Sequence, residues 1–190
     1  MTPQILRAED RAPTPWKNGG GMTTEVTTHP PGAGNEDFEW RVSVADVARD
    51  GSFSSFPGVD RIITVVDGPG MTLTLDGTKP TMGEPFEPFA FSGEAVTECQ
   101  LMGEPVVAFN VMVRRAHTAA RVGMFRSGTT VRPAPGSQVL AVVLSGSAVL
   151  RRDSVRLDRF DAVLLSDEDA EGFDVAGVLA IVHLTAVPGR

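Results

Sequence analysis

Apolar and polar residues alternate along much of this chain, the periodicity of a half-buried β-strand. Arg41-Val42-Ser43-Val44, Thr64-Val65-Val66, Met71-Thr72-Leu73-Thr74-Leu75 and Ala141-Val142-Val143-Leu144 read as strands rich in β-branched and aliphatic residues. Turn signals punctuate these runs at Asp67-Gly68-Pro69-Gly70, Asp76-Gly77, Ser92-Gly93 and Ser145-Gly146. Only short stretches suit a helix, such as Ala45 to Arg49. The pattern predicts an all-β chain.

The two halves carry the same pattern. Ile62-Ile63-Thr64-Val65-Val66-Asp67-Gly68 matches Leu140-Ala141-Val142-Val143-Leu144-Ser145-Gly146, and Met71-Thr72-Leu73 matches Ala148-Val149-Leu150. Pro88 to Ser92 runs parallel to Phe160 to Leu164, and Val106 to Val111 runs parallel to Val178 to His183. Each unit is a strand, a glycine turn, a second strand, a loop and closing strands, which suits a jelly roll. Two tandem jelly rolls are expected, with residues 1–116 forming the first and 117–190 the second, packed as one globular unit. In this alignment Asn110 falls opposite Val182, Thr64 opposite Val142 and Arg61 opposite Val139. A buried polar group without a partner costs roughly 1–3 kcal/mol, so polar residues at these positions need a reason. A ligand pocket in the first unit is one; a solvated barrel rim is the other.

Composition narrows the function classes. The chain has 190 residues, 42% of them hydrophobic and 22% charged, which is ordinary for a globular protein. Its formal charge of −7 leaves no basic stripe for nucleic acid. No run approaches membrane-spanning length, and a lone cysteine, Cys99, forms no intrachain disulfide. A cytoplasmic, reduced protein is expected, with neither nucleic acid nor membrane as partner. The histidines His29, His117 and His183 are isolated, and neither His-x-His nor Cys-x-x-Cys occurs, so no metal or other cofactor is expected. His183 reads as a structural histidine in an apolar strand and His29 as a loop residue beside Pro30 and Pro31. Cys99 stands between Glu98 and Gln100 without a nearby histidine, and the serines lack a nucleophile motif. The run Arg151-Arg152-Asp153-Ser154, with Arg156 and Arg159, alternates with acids and reads as a solvated face.

One segment stands apart: Trp16-Lys17-Asn18-Gly19-Gly20-Gly21-Met22-Thr23-Thr24-Glu25. Three successive glycines give no packing and cost backbone entropy, so they suit a turn with positive φ or a close backbone approach. A hairpin turn at Asn18-Gly19 explains them equally.

Pro15-Trp16-Lys17-Asn18-Gly19-Gly20-Gly21 with Thr24-Glu25 resembles the signature of the HutD/Ves family. So do Phe38-Glu39-Trp40-Arg41-Val42-Ser43-Val44-Ala45, Gly51-Ser52-Phe53-Ser54-Ser55-Phe56-Pro57-Gly58-Val59-Asp60-Arg61, and Phe109-Asn110-Val111-Met112 with Arg114 and Arg115. The blocks keep their order over about residues 5 to 115. The resemblance implies a bicupin, with the second barrel structural, and a binding or governing role in histidine utilisation without an established reaction. The family's usual Asp before Phe-Asn-x-Met is Ala108 here, so no role of that acid is carried over.

What remains is an anion-binding set: Lys17, Arg41, Arg61 and Asn110, with Asn18, Thr24 and Glu25 beside them. Arg41 and Ser43 share one strand face, and Trp40, Val42 and Val44 the other, so Arg41 points either into a polar lumen or into solvent. A guanidinium grips a carboxylate bidentately, and a carboxamide donates and accepts at once. The leading reading is a regulatory or accessory protein whose partner is a small anionic metabolite. With the resemblance, formylglutamate, formiminoglutamate or urocanate is the expected ligand. A second reading is a metal-independent hydrolase or isomerase of formyl or formimino compounds, with Glu25 as general base and Lys17 stabilising charge. Cations beside Glu25 lower its basicity and tilt the choice toward binding. The third is a homodimeric scaffold.

Overall fold

The computed structural model describes residues 3–166 and 169–187. Among these the chain is all-β, and its helical content is one 3₁₀ turn at Ala8–Asp10. The expected helical stretch from Ala45 is instead part of the strand Trp40–Val47. Burial of Ala45 and Val47 in a sheet core outweighs local helix propensity there.

The chain divides into two compact units, one of residues 12–116 and one of residues up to Arg11 together with His117 onward. The amino end therefore departs from the 1–116 span read in the sequence. Strand Gln4–Leu6 pairs antiparallel with Ala162–Ser166. Asp161 fixes this arrangement, accepting hydrogen bonds from the Ala8 amide at 2.8 Å and from Arg7 Nη1 at 2.7 Å.

In the 12–116 unit, six strands run in the order Thr14–Pro15, Gly21–His29, Trp40–Val47, Val106–Arg114, Val59–Asp67, Phe89–Ser92. Four more form a second sheet, in the order Gly51–Ser52, Thr97–Leu101, Met71–Leu75, Thr81–Met82. Ala45, Val47, Val65 and Ala108 of the first sheet pack with Met71, Leu73, Leu75 and Cys99 of the second, making a double-sheet jelly roll.

Strand register then stacks the inner face in layers. Val47 lies opposite Val106, and Ala45, Ala108 and Val65 form the next row. Above them come Ser43, Asn110 and Ile63, then Arg41, Met112 and Arg61. One end of the inner face is an aliphatic core and the other carries polar and cationic side chains. Thr64 belongs to the opposite face of its strand, where it is fully buried with its hydroxyl unpartnered.

The other unit is one seven-stranded sheet around two long strands, Ser137–Leu150 and Glu171–Ala186. Its core draws on Val139, Ala141, Val143, Leu150, Phe173, Leu179 and Ile181. Here Ala141 pairs with Ile181, whereas Ile63 pairs with Asn110 in the first unit. The counterpart of Asn110 is thus Ile181, not Val182. Both units carry a bulge at the equivalent place, Val107/Ala108 in the first and Val143/Ser145 in the second, so Val107 matches Val178. The one-residue offset in the sequence alignment of this strand exchanges its faces. The basic run of this unit is exposed and paired, Arg151 with Asp174 and Arg156 with Asp158.

Candidate functional site

The glycine run closes a tight hairpin between Thr14–Pro15 and the strand beginning at Gly21. Gly19 has φ +67°, and its amide donates to the Trp16 carbonyl at 3.0 Å, while the Asn18 side chain caps the Gly20 amide at 2.9 Å. Gly21 lies so near its neighbouring strand that a Cβ there would collide with the Asp46 carbonyl oxygen. The close approach needed here is therefore backbone to backbone. Its product is a stiff loop that presents Trp16, Lys17 and Asn18 at a cleft of about 530 Å³.

Arg61 reaches this cleft from the third of three adjacent strands and Arg41 from the first, with Met112 between them. Their Cα atoms are thus roughly 10 Å apart. The two cations sit in different surroundings. Arg41 Nε donates to Glu25 Oε2 at 2.8 Å and Nη1 to Asn35 Oδ1 at 2.8 Å, so its charge is answered within the protein. Arg61 is 8% exposed and, among the described residues, has no ion pair. Among the described residues its Nε has no acceptor, and Nη2 finds only Asn110 Oδ1, at 3.4 Å. Phe91, Phe53 and Phe56 surround the guanidinium, their ring centroids 5.0, 5.4 and 5.9 Å from Cζ. These quadrupoles recover part of the lost hydration. Burial without a counterion still pushes the Arg61 pKa down to about 10.

Of the residues singled out in the sequence, Lys17, Asn18, Arg41, Arg61 and Asn110 line the cleft together. Thr24 and Glu25 do not. Thr23 takes the lining position and accepts a 2.7 Å hydrogen bond from Trp16 Nε1, so strand alternation turns Thr24 away. Glu25 is committed to Arg41. The phenylalanine box escaped sequence reading, although Phe53-Ser54-Ser55-Phe56 and Phe89-Ala90-Phe91 were visible as aromatic pairs. Trp16 also contributes, its indole meeting Phe53 edge-on at 6.1 Å.

His29 ends the strand Gly21–His29 rather than lying in a loop, and stacks on Trp40 at 5.7 Å. His183 is exposed within its strand. Among the described residues, no group of three His, Cys, Asp or Glu side chains gathers as a metal site would require. Cys99 is buried, and burial, with Asp50 adding to it, pushes its thiol up to about 11, the state of an inert core cysteine.

An all-β chain with two jelly-roll units, one of them holding a polar cleft in its barrel, is a cupin-type protein. A family model described as HutD matches residues 8–182, and the chain belongs to that family. A Pseudomonas putida relative, described as an uncharacterized 21.2 kDa protein in the hutC 3′ region, is 38% identical over 185 residues, covering 95% of this chain and 96% of that one. Protein Ves of Escherichia fergusonii is 33% identical over 172 residues, 90% of this chain and 83% of its own. The solved structure of HutD from Pseudomonas fluorescens SBW25 superposes with a TM-score of 0.86 at 32% identity, covering 98% of this chain and all of that one (100%). The family is associated with histidine utilisation.

Proposed function

We propose that the cleft of the 12–116 unit binds a small carboxylate, and that the protein is a regulatory or accessory component of histidine utilisation. The observation that carries this reading is Arg61, a buried guanidinium left without a counter-charge among the described residues. Burying a cation without a partner is costly, and a binding site that an anion enters is one setting that offsets the cost. Asn110 adds a group that can donate to an amide, formyl or imine acceptor, and Lys17 adds a mobile positive charge at the exposed loop. Formylglutamate, formiminoglutamate and urocanate each join a carboxylate to such an acceptor, and each fits a cleft of about 530 Å³.

Glu25 speaks against the hydrolase or isomerase reading. It is held by Arg41 and stands outside the cleft lining, where a general base would have no substrate proton within reach. The test is a thermal-shift screen of the three acids. One or more should raise Tm in proportion to the logarithm of concentration, with the response lost in Arg61→Ala, weakened in Asn110→Ala and kept in Glu25→Gln. Turnover of any acid that disappears in Glu25→Gln would replace binding with catalysis. No response to any of them, together with a Tm that depends on protein concentration, would favour the dimeric scaffold.

A further inference from the structure

The Arg61–Asn110 pair has an unusual geometry. A guanidinium only donates, so the Asn110 amide turns its oxygen to Nη2, at 3.4 Å. Its nitrogen reaches the Ala108 carbonyl at 3.5 Å. Both bonds lie at the outer limit for such contacts, so the carboxamide is weakly held on either side. Nε lies on the same guanidinium edge as Nη2 and is buried without an acceptor among the described residues. One edge of the fork therefore carries one poor acceptor where a carboxylate would supply two.

The geometry points to Asn110 as a displaceable stand-in: its amide oxygen occupies, in the unliganded protein, the place of one ligand carboxylate oxygen. This rests on reading the cleft as a carboxylate site and adds how that site works. On binding, one carboxylate oxygen accepts from Nη2 and the other from Nε, and the displaced carboxamide swings to donate through Nδ2 to an acceptor elsewhere on the ligand. The three phenyl rings crowd the guanidinium, which favours approach at the edge in its own plane. The ligand class that uses both halves is a carboxylate with a carbonyl or imine acceptor a few bonds away. A simple fatty acid uses only the first.

Asn110→Asp builds the bound arrangement into the protein, because a carboxylate of the same shape, turned away from the Ala108 carbonyl that the amide nitrogen now faces, offers one oxygen to each nitrogen. The ligand-free variant should melt about 2–4 °C above wild type at pH 7. The gain should vanish as pH falls through the depressed pKa of the introduced carboxylate, since a lowered acid pKa stabilises only above it. Acetate and N-formylglutamate should each bind this variant roughly tenfold or more weakly than wild type. Asn110→Leu, which offers no acceptor, should keep acetate binding while losing the preference for N-formylglutamate over acetate. If Asn110→Asp melts below wild type, or binds acetate as wild type does, Asn110 is a structural amide and the inference falls. If wild type responds to neither acid, the binding reading falls. The ligand-free melting comparison still decides whether the Arg61 edge accepts a carboxylate.

Discussion

Replacing Arg61 by methionine should weaken carboxylate binding about a hundredfold and leave the ligand-free protein as stable as before or more so. Burial holds the guanidinium at about 10, roughly 2.5 decades below its ordinary value. At about 1.4 kcal/mol per decade, the folded protein bears about 3 kcal/mol for keeping this group charged. Against that stand three cation–π contacts, together worth about 2 kcal/mol at this burial. Methionine keeps the length and flexibility of the stem, gives up the charge, and lays a thioether against the same rings. The balance is about 1 kcal/mol in favour of Arg61→Met, or about +2–4 °C in Tm for a chain of this size. Binding moves the other way, because a carboxylate losing its charged partner loses about 3 kcal/mol, roughly a hundredfold in Kd. Differential scanning calorimetry measures the first quantity and isothermal titration with N-formylglutamate the second. The sign with pH follows from the same numbers. Arg61 is charged below about 10, so wild-type affinity should hold through neutral pH and fall as pH rises through that value. A variant melting more than about 4 °C below wild type would refute the reasoning, since Arg61 would then be a structural cation held by the fold.

Gly21→Ala should cost about 2–3 kcal/mol, because its Cβ would run into the Asp46 carbonyl oxygen; a melt unchanged within about 1 °C would contradict this. Asp161→Asn should loosen the amino-terminal strand, seen as faster amide exchange at Gln4–Leu6, and lower stability by about 2 kcal/mol. Burial alone would raise the Asp161 pKa, but hydrogen bonds from the Ala8 and Asp158 amides and from Arg7 outweigh it and hold the carboxyl below its ordinary range. Its contribution is therefore present at neutral pH and is lost as pH falls through the folded value, a slope the asparagine variant should lack. Cys99 should resist Ellman's reagent at pH 8 in the native protein and react at once in denaturant, because its buried thiol sits at about 11; native reaction at the denatured rate would overturn that.

The strands were legible because burial on one face writes a period of two into the sequence, and the jelly-roll repeat because both units need the same inner face. The amino-terminal crossing was not. Gln4-Ile5-Leu6 is too short to carry a period, and its attachment rests on Asp161, a residue some 150 positions away. The Asn110 counterpart slipped by one position because Val178-Leu179-Ala180-Ile181-Val182 is an unbroken aliphatic run that gives no mark to fix its alignment against Val106 to Val111. Arg41 and Arg61 looked alike as cations on inward-facing strand positions. Register separates them by bringing Glu25 opposite Ser43, within reach of Arg41, and leaving Arg61 among phenylalanines. Which cation keeps its charge available is thus a property of pairing, decided across strands that the sequence alone does not align. The same logic explains why the other unit is apolar at these places. Val139 and Ile181 stand where Arg61 and Asn110 stand, and both are fully buried in an aliphatic core. An arginine there would face the full desolvation cost with no aromatic box to offset it. The pocket therefore depends on the whole box. The cation in one barrel is tolerable because Phe53, Phe56 and Phe91 stand around it, and it remains useful because no carboxylate among the described residues pairs with it.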